Sequence, residues 1–241
     1  MDDGPERTPS PVSYRLDDTV AVVDIDDGKA NALSPAVLDD LDAALTRAEG
    51  EARALLLVGR PGRFSAGFDL RVMTAGAESV RSLVGQGGRL LMRICQSPLP
   101  VVAACSGHAI AAGALTLLAC DHRVGADVDA KIGLNELGIG MPLPHYAVAL
   151  ARHRLTTTAL TPATLGAQMY DPAGAAEVGY LDRVVPADDL VAEALADARR
   201  LAGYRSDAFR TTKRLVRGAL AADVLATSDD DLAALTGPQP G

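Results

Sequence analysis

Residues 52–59 read ARALLLVG and residues 101–107 read VVAACSG. Each holds a short, unbroken apolar run closed by glycine. A strand with one wet face alternates apolar and polar residues, so a run without alternation fits a strand buried on both sides. Such a strand needs one layer packed above it and another below, which points to a parallel sheet covered by helices. VSYRL (12–16) and TVAVVDI (19–25) read as two more strands around a turn. Ser34-Pro35 is a helix start, with a hydroxyl cap and proline in the first turn. Val37, Leu38, Leu41, Ala44, Leu45 and Ala48 then form one apolar face, and Gly50 is the expected stop. Helices are expected over 78–96, 187–202 and 206–222. Further strands are expected in CDHRVGAD (120–127), at the start of AKIGLNELGIGM (130–141) and in LDRVV (181–185). No internal repeat is visible. The fold class is α/β, with helices around sheets and a helical extension at the end.

The chain has 241 residues, 48% of them hydrophobic, enough for one sizeable core and one or two domains. A formal charge of −8 and the absence of a basic stripe exclude a nucleic-acid partner. The longest apolar run, Ala109–Cys120, is too short to span a bilayer, and MDDGPERTPSP lacks the charged and apolar regions of a secretory signal. A cytoplasmic protein without a membrane partner is expected. Cys95, Cys105 and Cys120 sit in apolar surroundings without metal-site spacing, as buried reduced thiols would.

Three segments carry chemistry. GRFSAGFDL (62–70) follows a buried strand, and its small residues permit a tight turn with free N–H groups; an ordinary glycine turn with Asp69 capping a helix is the reading that spacing alone favours. GHAIAAGALTLLACD (107–121) runs from strand through small residues into a helix. A helix N-terminus can hold an oxyanion, and close packing of helix on sheet is the other reading. IGLNELGIG (132–140) contains a single acid, Glu136. Buried, it is a base with a raised pKa; otherwise it is a capping or ion-paired glutamate. GQGG (85–88) lacks the strand context and spacing of a dinucleotide site.

In order and spacing, FSAGFDL, ACSGHAIAAGALTLLACDHRV and IGLNELGIG resemble the crotonase superfamily of enoyl-CoA hydratases and isomerases. GKANALS (28–34) and DPAGAAEVGYLDRVVP (171–186) resemble two more of its segments, so the likeness covers roughly residues 12–220. It implies a spiral of β-β-α units with a C-terminal helical region, assembled as a homotrimer or hexamer. The expected organisation is a disordered tail over 1–11, a core over 12–195, a helical oligomerisation region over 196–235 and a disordered tail over 236–241. The implied substrate is an acyl-CoA thioester. Coenzyme A is then part of the substrate, and neither a cofactor nor a metal is required.

Carried over residue by residue, the resemblance makes the backbone N–H groups of Phe68 and Ala112 the oxyanion hole and Glu136 the catalytic carboxylate. It places Lys29, Ala30 and Ala32 near the CoA adenine and Ala66, Asp69 and Leu70 beside the first donor. Asp69 itself is expected to cap or pair near the site. His145 falls near the acyl pocket, as a wall or surface residue or a second acid. Lys213 is a candidate to reach CoA in a neighbouring subunit. Hydratases of the superfamily use two glutamates, and the position of the first is Leu115, which cannot hold water or move a proton. The expected reaction is therefore a double-bond shift from 3-enoyl-CoA to 2-enoyl-CoA with one glutamate as proton shuttle. A single-glutamate hydratase or dehydratase is the alternative, and a non-catalytic acyl-CoA-binding protein stands behind both.

Overall fold

The computed structural model describes residues 10–233 and 235. Strands β1 (Val12–Asp17) and β2 (Val20–Ile25) form an antiparallel hairpin whose two-residue turn puts Asp18 at a φ of 53°. Helix α1 (Pro35–Glu51) opens with Ser34 Oγ accepting from Val37 N. It runs through Gly50 rather than stopping there, since one glycine costs a helix only about 1 kcal/mol. The chain continues through β3 (Ala54–Gly59), β4 (Gly62–Ser65), α2 (Leu70–Met73), α3 (Ala77–Gln96), β5 (Val101–Cys105), β6 (Gly107–Ile110) and α4 (Ala112–Ala119). β7 (His122–Asp127), β8 (Ile132–Gly133), α5 (His145–Arg154), α6 (Thr157–Thr164), α7 (Pro172–Val178), β9 (Arg183–Pro186), α8 (Leu190–Ala202) and α9 (Ser206–Ala233) complete it.

The main sheet has the order β1-β2-β3-β5-β7-β9 and is parallel from β2 onward. Its apolar runs have the two buried faces expected of them. Leu55, Leu57, Val101 and Ala103 join α1, α3 and α4 in one core. Leu56, Val102, Ala104 and Val124 face the other way, onto Leu190, Ala194, Ala198 and Ala202 of α8. A second, three-stranded parallel sheet is formed by β4, β6 and β8. β3-β4, β5-β6 and β7-β8 each give one strand to each sheet, which is the expected spiral of β-β units with helices between.

The expected boundary at 195/196 falls inside α8, whose alanine face is part of the sheet core; the extension begins at Ser206. α9 is longer than its expected end at 222, because no glycine or proline follows Gly218 until Gly237. Of the expected tails, residues 1–9 and 236–241 lie outside the described residues. Ser10 and Pro11 are tied down, Ser10 Oγ to Asp40 and Pro11 O to Asp26 N. All three cysteines are buried and free, and burial pushes the Cys105 and Cys120 thiols up to about 12. No helix among the described residues is long and apolar enough to cross a membrane.

Candidate active site

The loop after β2 folds around Asp27, whose carboxylate accepts the N–H groups of Lys29, Asn31 and Ala32. Burial would raise its pKa, but these bonds hold it below the usual carboxylate range. Asn31 is fully buried at a φ of 51°, and its Nδ2 donates to Ile25 O, Arg63 O and Phe64 O. Ser65 Oγ donates to Asn31 O. The loop is thereby fastened to the end of β4. Leu33 then bridges Phe68: Leu33 N donates to Gly67 O and Asp69 N to Leu33 O. In a parallel bridge of this kind the N–H of the bridged residue points away from its partner, so the Phe68 amide is turned out of the ladder. Asn31 and Ser65 position the first proposed donor. Neither stood out in the sequence, where their short polar side chains look like ordinary loop residues.

The second donor comes from the other layer. Ala112 is the first residue of α4, where N–H groups have no partner within the helix. Ala111 before it has a φ of 52°, rare for a residue with a side chain. It is held there by Ala111 N donating to Gly133 O and Leu115 N donating to Ala111 O. Such a conformation costs about 1–3 kcal/mol and persists where its surroundings impose it. Glycines bring the two segments together. A methyl on Gly67 would lie 2.9 Å from Ile110 O and 3.3 Å from Ala112 N, and one on Gly113 only 2.4 Å from Ser65 O.

Phe68, Ala111 and Leu115 line a cavity of about 250 Å³ together with Glu136. Met73, Val84, Ile110, Met141 and Tyr146 make much of the remaining wall, with Ala66 and Leu70 also lining it. Glu136 is the only carboxylate among the described lining residues. It follows β8 in a turn whose Leu137 and Ile139 point partly outward while the acid is 8% exposed, an inversion of the usual polarity. Burial pushes its carboxyl up to about 7, its own backbone N–H pulling weakly the other way. Glu136 Oε2 and the neighbouring Asn135 Oδ1 are buried without a hydrogen-bond partner, which is unusual enough to need a reason.

The other candidates fall as follows. Asp69 caps α2, accepting from Arg71 N, and pairs with the Arg71 guanidinium, which holds its carboxyl below the usual range. Lys29, Ala30 and Ala32 do not line the Glu136 cavity; they stand in the adjoining loop, where Ala66 N donates to Ala30 O. His145 is a partly exposed wall residue of a second cavity rather than of the Glu136 cavity, and its Nε2 lies 2.8 Å from Asp223 Oδ2 on α9, so of its expected roles the wall or surface one fits and the second acid does not. One expectation is corrected. Lys213 is not free to reach outward, because it is buried and donates to Ile94 O, Leu99 O and Asp121 Oδ2, three bonds for the three hydrogens of an ammonium. The glycines of GQGG are packing sites: methyls on Gly85, Gly87 and Gly88 would collide with Leu232, Phe68 and Tyr146.

The family model described as enoyl-CoA hydratase/isomerase matches residues 15–235. The enoyl-CoA delta isomerase 1 of human mitochondria is 31% identical over 223 residues, covering 88% of this chain and 72% of that one. A probable enoyl-CoA hydratase of Bacillus subtilis is 37% identical over 140 residues, 56% of this chain and about half (54%) of that relative. The crystal structure of an enoyl-CoA hydratase/isomerase family protein from Pseudomonas syringae superimposes with a TM-score of 0.91 at 41% identity, over 93% of this chain and 98% of that one.

Proposed function

The chain belongs to the enoyl-CoA hydratase/isomerase family, the crotonase superfamily, and from that premise we propose that it converts 3-enoyl-CoA to 2-enoyl-CoA with Glu136 as the one proton shuttle. The observation that carries this reading is a lone buried carboxylate in a largely apolar chamber that Leu115 also lines. The thioester oxygen sits at the Phe68 and Ala112 amides. The Glu136 carboxylate takes a proton from C2, and the C–H electron pair flows into a dienolate whose negative charge rests on that oxygen. The protonated glutamate then delivers the proton to C4, and the double bond is left between C2 and C3. A base that ionises near pH 7 suits both halves, since it both accepts and returns the proton. Amides fixed in an apolar site stabilise the oxyanion by several kcal/mol.

The same reading places the CoA nucleotide against the loop of Lys29, Ala30 and Ala32, beside Ala66. CoA arrives as part of the substrate, and no further cofactor is needed. A homotrimeric or hexameric assembly in the cytoplasm belongs to this reading; Leu215, Val216 and Leu225, all more than half exposed on α9, support an interface there.

One observation favours hydration instead. Asn135 Oδ1 and Glu136 Oε2 are two buried acceptors in one cavity, and a substrate water needs such partners. Assaying purified protein with 3-enoyl-, 2-enoyl- and 3-hydroxyacyl-CoA separates the readings. The isomerase reading expects turnover of the 3-enoyl thioester and little water addition. Hydration as the faster reaction would overturn it in favour of the hydratase. Tight binding without turnover would leave an acyl-CoA-binding protein.

Gly67→Ala tests the oxyanion hole. The added methyl meets Ile110 O and the Ala112 nitrogen at a φ of +90°, so the two amides must part. Loss of one such donor lowers kcat about 100-fold or more, and that is the expected loss in protein shown by circular dichroism to be folded. Unchanged kcat would count against these amides.

A further inference from the structure

We infer that Tyr146 is the end wall of the acyl chamber and fixes the longest acyl chain the site accepts; this rests on the acyl-CoA reading above. Two cavities meet at α3. The first is the Glu136 chamber of about 250 Å³. The second, about 400 Å³, is lined by Met92, Val224, Leu225 and Leu232, with Arg89, Arg93 and His145 among its polar residues. Tyr146 is the one residue among the described residues that lines both. It is held at two points. A methyl on Gly88 would lie 2.8 Å from its Cε1 and 2.9 Å from its Cδ1, so the ring rests against the backbone of α3. Its hydroxyl donates to Val84 O at 3.3 Å. With the ring 5% exposed, it closes the first chamber and leaves the second, mainly apolar space behind it.

The size of the first chamber bounds the substrate. An acyl chain threaded into that chamber can lengthen only until its end meets the Tyr146 ring. A chain reaching past the ring would enter the second cavity, where each further methylene adds about four-fold in affinity.

Calorimetric titration with saturated acyl-CoAs, from butyryl- to palmitoyl-CoA, tests this without depending on which reaction the enzyme performs. Wild-type affinity is expected to climb with chain length, then level off or fall where the chain meets the ring, short of palmitoyl-CoA. Tyr146→Ala and the milder Tyr146→Leu are expected to move that break to longer chains and to tighten palmitoyl-CoA binding about ten-fold or more. Tyr146→Phe keeps the ring and the wild-type break. A break unmoved in both truncations, or wild-type affinity rising unbroken to palmitoyl-CoA, would overturn the inference; the wild-type curve decides even if a truncation fails to fold. If no acyl-CoA binds at all, the acyl-CoA reading falls and the wall with it, whereas binding with an unmoved break removes only the wall.

Discussion

Glu136→Gln is expected to lower kcat about 1,000-fold or more and at the same time to make the folded protein more stable at alkaline pH. The two effects have one source. The carboxylate is shut in an apolar chamber that raises its pKa from 4.5 to about 7. The folded state therefore prefers the neutral acid. Stability from this group is complete below the unfolded value of 4.5 and is lost as pH rises through about 7. At about 1.36 kcal/mol per pH unit, the gap amounts to about 3 kcal/mol. Glutamine cannot ionise, so the variant should melt above wild type at pH 8 and alongside it at pH 4. In wild type, a base must be ionised to act, and kcat/KM should fall as pH drops through about 7. Substantial turnover by Glu136→Gln would end the proton-shuttle reading. A variant that melts below wild type at pH 8 would show that the carboxylate is not confined as described.

Much of this was legible in the residues. The unbroken runs at 54–58 and 101–105 read as doubly covered strands, and they form neighbouring strands of the main sheet. The small second sheet did not follow from pattern, because β4, β6 and β8 have four, four and two residues, too few for a period to register. The amides proposed for the oxyanion hole and the role proposed for Glu136 come from resemblance. What fixes them does not, since Asn31, Ser65 and the strained Ala111 act through backbone geometry that residue type barely encodes. In GQGG the lack of side chains weakened the helix signal, yet those glycines are where Phe68 and Tyr146 seat. The burial of Lys213 is written in the spacing of its helix. With Arg217, Ala221 and Val224 it lies on a four-, four- and three-residue spacing, and all four are buried. On that stripe a cation has to find its partners inside the molecule.

That stripe leads to the second large effect. Asp121→Ala is expected to destabilise the protein by about 3–5 kcal/mol, lowering the melting temperature by roughly 6–20 °C. Asp121 Oδ2 accepts from Lys213 Nζ at 2.6 Å and from Val101 N at 2.8 Å, and Oδ1 lies 2.9 Å from Arg217 Nη2. Both cations are about 5% exposed. They also close helix ends. Lys213 and Arg217 take Ile94 O and Cys95 O at the end of α3, while Arg217 takes Ala119 O and Cys120 O at the end of α4. Arg154 adds bonds to Leu118 O and Cys120 O. Carbonyls at a helix C-terminus favour positive charge, but two cations buried side by side repel each other unless an anion stands between them. Removing Asp121 leaves both charges uncompensated in the interior, which is the costly way to break a buried ion pair. Lys213→Met removes one cation and leaves Asp121 paired with Arg217, so its loss should be clearly smaller. Thermal melts of the three proteins in one buffer decide the matter. If Asp121→Ala melts no lower than Lys213→Met, the aspartate does not hold this cluster together. If it does melt lower, the end of α4 opposite Ala112 is anchored by charge, and the amide proposed for the oxyanion hole is set on a helix fixed at both ends.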